Sequence, residues 1–149
     1  MKLVVAAITI LLFSSFINWE TNFEKAKKSA KEKHELILIN FSGSDWCVPC
    51  MNMRKDIFES GTFKKMADAD LVLVNADFPR KKKNKPAADI VKQNDALAEK
   101  YNPEGNFPFT VLLNADGKVL KSWNGKPGGN IETFIAEIEK IYIANKALK

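Results

Sequence analysis

The sequence predicts an α/β domain with a central mixed sheet of about four to five strands flanked by helices on both faces. Three observations carry that prediction. Two nearly continuous apolar runs, Leu36–Phe41 and Leu71–Ala76, read as strands covered on both faces. Helix-like segments precede and separate them, so the two strands belong in one layered sheet. A third run, Phe107–Leu113, leads into Asn114-Ala115-Asp116-Gly117, the chemistry of a hairpin turn.

Thr21-Asn22-Phe23-Glu24 has the spacing of a capping box, with Thr21 as cap. Phe23, Ala26 and Ala30 then recur at helical spacing among lysines, which predicts an amphipathic helix over 22–34 ending at His34, where a cation suits the carbonyl end. After the first buried strand, Ser42-Gly43-Ser44-Asp45 reads as a loop. A helix starts near Cys47 with Met51, Ile57 and Phe58 inward, and breaks near Ser60-Gly61. Met51 and Met53 are two residues apart, so one belongs to the core and the other to the surface beside the motif. Phe63 and Met66 predict a further short helical turn before the second strand. Pro79 to Pro86 is a loop by its proline and charge content. Residues 87–101 predict a helix with Ile90, Val91, Leu97 and Ala98 facing inward. The hairpin return covers Lys118 to Trp123, and Ile131, Phe134, Ile135, Ile138 and Ile141 mark a closing helix.

Met1 and Lys2 precede an uncharged apolar run from Leu3 to Phe13, the pattern of a secretory signal. Even extended to Ile17, the run is short of the ~20 residues that span a bilayer. Residues 1–19 are therefore expected to be a signal segment, or an uncleaved membrane tether, and residues 20–149 the domain. The expected location is periplasmic or secreted. Removing the segment takes away one lysine, leaving 22 basic against 18 acidic residues. Outside the cytoplasm a disulfide persists.

The 149 residues fit a single domain, and ten Phe, three Trp and two Tyr supply its core. Only seven Gly and six Pro are present, which excludes a collagen-like or disordered chain. Two Cys and one His exclude both a disulfide-stapled miniprotein and a zinc site built from Cys and His alone. No metal or cofactor is expected. A monomer is expected, because no element shows a spare apolar face.

The chemistry concentrates in Trp46-Cys47-Val48-Pro49-Cys50. The pair falls where a buried strand passes through a loop into a helix, whose first-turn N–H groups lack intrahelical partners and favour an anion. A thiolate at Cys47 is such an anion, so its pKa is expected below that of a free thiol. Cys50, three residues on, lies one turn later on the same face and can resolve a mixed disulfide formed at Cys47. Pro49 suits the first helical turn, where its missing N–H is not needed. Three other readings compete: a structural disulfide, two core thiols, or half a metal site. A disulfide closing so small a loop constrains little of the unfolded chain. Core thiols fit poorly beside an export signal, and the metal site lacks its other half.

The stretch Ile39-Asn40-Phe41-Ser42-Gly43-Ser44-Asp45-Trp46-Cys47-Val48-Pro49-Cys50 resembles the active-site segment of the thioredoxin superfamily, and Phe107-Pro108-Phe109-Thr110 resembles that family's cis-proline loop. The likeness extends over roughly residues 23–145. Within the superfamily, the leading helix and the Ser-Gly-Ser-Asp-Trp-Cys loop look most like exported bacterial thioredoxin-like proteins, including the thioredoxin-like domain of periplasmic disulfide-interchange reductases. The resemblance implies a thioredoxin fold, with Cys47 the attacking, more exposed thiol and Cys50 the buried resolving thiol. It implies a cis Pro108, and a Phe107 whose backbone pairs with an extended substrate segment. Trp46, Val48 and Pro49 complete the substrate surface, although Trp46 also reads as a core residue capping the strand.

The family's buried acid before the motif is replaced by Asn40, and an amide cannot serve as that base. The lysine that partners the acid is missing too, with Leu73 its nearest match. Water or a substrate group is left to deprotonate Cys50. Asp45 reads as a solvated loop carboxylate whose charge would raise the Cys47 pKa. Arg80, Lys81, Lys82, Lys83 and Lys85 read as a solvated insertion, with a docking patch for an acidic partner, a membrane surface or nucleic acid as the sharper reading. Nucleic acid is disfavoured by export and by the lack of aromatics among the lysines. The expected function is thiol–disulfide exchange with protein thiols and disulfides, reset by an unidentified redox partner. The alternatives are a binding module of the same fold, or a thiol carrier in metal or cytochrome assembly.

Overall fold

The computed structural model describes residues 18–147, so the apolar run of the expected signal lies outside the described residues. Five strands form one sheet in the order β1-β3-β2-β4-β5. They are β1 (Trp19–Glu20), β2 (Leu36–Ser42), β3 (Leu71–Asp77), β4 (Phe109–Leu113) and β5 (Val119–Asn124). The helices are α1 (Phe23–Lys33), α2 (Val48–Met53), α3 (Gly61–Asp70), α4 (Ala88–Tyr101) and α5 (Ile131–Ala147). α2 continues into a π-helical turn over Arg54–Phe58, and a 3-10 turn covers Lys82–Asn84. β2 is the central strand, parallel to β3 and antiparallel to β4. The expected mixed sheet is present.

Strand alternation divides the core into two layers. Ile37, Ile39 and Phe41 of β2, with Val72, Val74 and Ala76 of β3, pack against Phe23, Ala26 and Ala30 of α1 and Leu97 and Tyr101 of α4. Leu36 and Leu38, with Leu71 and Leu73, pack on the opposite side against Met53, Ile57, Phe58, Phe63, Phe134 and Ile138. There the Phe63 and Phe134 rings stack at 6.3 Å, tying α3 to α5. The Trp123 indole N–H of β5 donates to Glu137 of α5 at 2.9 Å, which fixes that helix along the sheet.

Several elements differ from the sequence reading. The N-cap of α1 is Asn22, whose side-chain Oδ1 accepts the Lys25 N–H at 2.8 Å, and not Thr21. Either side chain suits the position; the chain enters the helix one residue later than the capping-box spacing implied. β1 carries no periodic pattern in sequence, yet Trp19 and Glu20 pair in parallel with Leu73 and Val74. Trp19, the last residue of the expected signal segment, therefore stands in the sheet. α3 is ten residues long and not a brief turn, capped by the Ser60 hydroxyl, which accepts the Phe63 N–H. The inward face of α4 is Asn94, Leu97 and Tyr101, while Ile90 is half-buried and Val91 exposed. Asn94 displaces the apolar pair because its amide donates to the Asp77 carbonyl at 3.1 Å, satisfying β3 where it ends.

Candidate active site

β2 ends at Ser42, and the chain turns tightly over Gly43: the N–H groups of Trp46 and Cys47 both donate to the Gly43 carbonyl, at 3.3 and 2.9 Å. Gly43 is required by what lies against it, since a Cβ there would overlap the Trp46 indole. Cys47 is then the N-cap of α2, in extended conformation, and Pro49 falls in the first turn. The Cys50 backbone N–H donates to the Cys47 sulfur at 3.2 Å. This is the orphan first-turn donor that an anionic sulfur would use.

Cys47 and Cys50 are joined as a disulfide, with Cα atoms 5.2 Å apart. Each cysteine is 4% exposed, so in this bridged form Cys47 is not the more exposed of the two. The asymmetry lies in position: Cys47 caps the helix, whereas Cys50 is inside it. Val48 is 60% exposed, and Pro49 is also at the surface. Met51, expected inward with Ile57 and Phe58, is instead exposed, and Met53 takes the fully buried place on α2.

The Phe107–Pro108 peptide is cis. The expected third strand begins two residues late, because this cis unit precedes the ladder, whose first β2–β4 pair is Phe41 with Phe109. That register sets Pro108 at the end of β2 from which the motif departs. The Phe107 ring meets Trp46 edge-on at 5.4 Å and Phe78 at 5.5 Å. The Trp46 indole N–H donates to the Phe78 carbonyl at 2.8 Å. Trp46 is thus partly buried, held by the Phe78 carbonyl and the Phe107 ring.

Beneath α2 the sheet carries a polar rung. Asn40 and Thr110 are register partners on β2 and β4, and the Asn40 amide donates to the Thr110 hydroxyl at 3.1 Å. Asn75 of β3 is paired with Asn40, so it, and not Leu73, is the β3 neighbour at this level. Alternation puts Asn40 on the same face as Leu36 and Leu38, which pack with Met53 of α2. A carboxamide is too weak a base to take a proton from a thiol, so Asn40 does not serve Cys50 as one.

Asp45 departs from its expectation. Its carboxylate accepts the backbone N–H groups of Arg80 and Lys81, each at 2.9 Å, and the Asn84 side-chain amide at 2.9 Å. These bonds, Arg80's first, hold its pKa below the usual aspartate value. Ser44 reinforces the junction, its N–H and hydroxyl donating to the Asp77 carboxylate at 2.9 and 2.6 Å. The basic loop is therefore tied to the motif and is not a free insertion. The partners lie more than thirty residues apart in sequence, so nothing local announced them. Among the described residues, no cluster of three or more His, Cys, Asp or Glu is arranged to hold a metal.

Residues 18–115 match the family model for thioredoxin-like proteins. The chain belongs to the thioredoxin-like family. It is 35% identical over 113 residues to the disulfide bond reductase DsbH of Chlamydia pneumoniae, covering 76% of this chain and 66% of that protein. It is 30% identical over 129 residues to the thioredoxin-related protein DsbJ of the same organism, covering 84% of this chain and 36% of that one. The solved structure of a DsbH oxidoreductase superimposes with a TM-score of 0.77 at 28% identity, over 95% of this chain and 94% of that chain. The fold is the thioredoxin fold, as the motif resemblance implied.

Proposed function

We propose that this chain is a thiol–disulfide oxidoreductase that reduces or rearranges protein disulfides outside the cytoplasm, acting as a monomer through Cys47 and Cys50. The observation that carries this reading is the Cys47–Cys50 bridge at the N-cap of α2, whose neighbour Trp46 meets the Phe107 ring of the cis Phe107–Pro108 unit at 5.4 Å. The name of the DsbH relative favours the reductive direction.

In that direction the Cys47 thiolate attacks one sulfur of a substrate disulfide. A mixed disulfide forms and the other substrate sulfur leaves as a thiolate. The Cys50 sulfur then attacks Cys47 Sγ, closing the bridge and releasing the second substrate sulfur. Two electrons pass to the substrate; one of its sulfurs takes a proton from water, matching the one Cys47 released on ionising, and the other the proton that leaves Cys50. A dithiol donor resets the pair. With Asn40 beneath α2, the proton of Cys50 is assigned to the departing substrate thiolate or to water. Val48 and Pro49 offer an exposed rim. Phe107 supports pairing with an extended segment because its backbone lies outside the β2–β4 ladder. Trp46 and Pro108 frame that segment. Export through the N-terminal segment fits a persistent bridge; because Trp19 stands in β1, any cleavage would fall before it, one residue or more short of the 1–19 boundary.

Reduction of insulin disulfides by the dithiol-recycled chain tests the reading. Activity is expected to vanish in Cys47→Ser, and a trapped mixed disulfide to accumulate in Cys50→Ser. Wild-type activity in either variant overturns it. A reduction potential near about −270 mV marks a reductant, and one near about −120 mV an oxidant. Fractionation of cells expressing the full chain tests the location.

A further inference from the structure

We propose that the loop Arg80–Lys85 is a docking surface for acidic protein segments that flank the disulfide attacked at Cys47. The proposal rests on the oxidoreductase reading and adds a substrate class to it.

The loop is fixed at the edge of the redox pair. Asp45, two residues before Cys47, takes the N–H groups of Arg80 and Lys81 and the amide of Asn84. The Arg80 guanidinium lies over the Trp46 ring, 4.1 Å from its centroid, directly next to Cys47 in sequence. Within the loop, the N–H of Asn84 donates to Lys81 and that of Lys85 to Lys82, at 3.0 and 3.2 Å. The backbone is thus held before any partner arrives, which lowers the ordering cost of binding.

The cations are available. All five basic residues are exposed, and none forms a salt bridge among the described residues. The Asp45 carboxylate, bound by backbone and amide donors, also feels the Lys81 charge, and Lys85 lines a pocket with Asp77 and Asp95. Arg80, Lys82 and Lys83 keep exposed charges with no ion-pair partner among the described residues. At physiological salt exposed charges act over a Debye length of about 8 Å, so they bear on a segment that binds next to the loop. Because the loop is anchored on Asp45 and Trp46, immediately before Cys47, it favours an occupant that reaches loop and cysteine together, such as an acidic chain segment leading to the disulfide.

The test uses the dithiol-reduced full chain with two disulfide peptides of identical core, one flanked by glutamates and one by lysines. The expected ratio of kcat/KM, acidic over basic, is about tenfold or more in low salt, falling toward one at about 0.5 M salt. In Lys82→Gln/Lys83→Gln/Lys85→Gln the low-salt ratio is expected to fall several-fold. In parallel, a cysteine-free acidic peptide is titrated into the oxidised chain and is expected to shift the amide resonances of residues 80–85. A wild-type ratio near one, or a ratio untouched by the triple substitution, overturns the proposal. So does lysine-dependent binding to vesicles containing anionic phospholipid with no peptide preference, which would make the loop a membrane surface. Shifted amides without reduction of either peptide would leave docking standing and sink the oxidoreductase reading instead.

Discussion

The side chain of Asn40 donates to the hydroxyl of Thr110 at 3.1 Å, and both residues are buried in the sheet layer beneath α2. Charge at this place would lack a basic partner on the neighbouring strand, where Asn75 stands. Asn40→Asp is therefore expected to place a carboxyl with a raised pKa under the helix. Its penalty is absent below the ordinary aspartate range and grows as pH rises through the folded-state pKa. Stability at pH 7 should fall by about 1–3 kcal/mol in urea unfolding, with recovery in acid. The Cys50 step should gain a base, so resolution of a preformed mixed disulfide should quicken with the same pH midpoint. Unchanged stability and rate would show that the rung does not govern that proton.

Gly43 and Trp46 share one space. Gly43→Ala is expected to push the indole off the Phe78 carbonyl and off the Phe107 ring. Loss of that hydrogen bond and ring contact should cost about 1–3 kcal/mol. Turnover of a protein disulfide should drop more than turnover of a small-molecule disulfide, because the rim is lost while the sulfurs remain. An equal fall for both would instead indicate damage to the cysteine pair.

Asp45 clamps the basic loop only while ionised. Its pKa is depressed in the fold, so the clamp is complete above the usual aspartate value of 3.8 and is lost as pH falls through the lower folded-state value. The amides of Arg80 and Lys81 are expected to shift together over that acid range in nuclear magnetic resonance titrations. Asp45→Asn should weaken the clamp at neutral pH and speed their hydrogen exchange. Independent titration of the two amides would contradict a shared acceptor.

His34 closes α1 in the left-handed region, with φ of 59°. A side chain in that conformation is held at a cost that glycine avoids. His34→Gly is expected to raise stability by about 0.5–1 kcal/mol, read as an increase in Tm with little change in exchange activity. A lower Tm would mean that the imidazole makes a stabilising contact at the helix end.

The strands most readable in sequence are those buried on both faces. The runs at 36–41 and 71–76 are apolar but for one asparagine each, Asn40 and Asn75, and β2 and β3 extend each by one residue only. The motif was equally plain, since strand, loop, two cysteines and an early proline are all local. What escaped depends on distant partners. β1 is two residues long and exists through its pairing with β3. The inward turn of Asn94 needs the Asp77 carbonyl, and the ionic tether of Asp45 needs backbone across more than thirty residues. The π-helical turn after α2 is set by how Ile57 and Phe58 pack, with the Glu59 N–H reaching back to the Arg54 carbonyl at 2.9 Å. No periodicity announces such a turn.

β2 occupies the middle of five strands, with ladders on both sides along most of its length. Its amides should be the last to meet solvent, exchanging through whole-molecule opening while the outermost two-residue strand opens locally. The cysteines hang from this slowest-opening beam. Repeated making and breaking of their bond can then proceed on a scaffold that stays shut, and wear from each redox cycle is confined to the periphery.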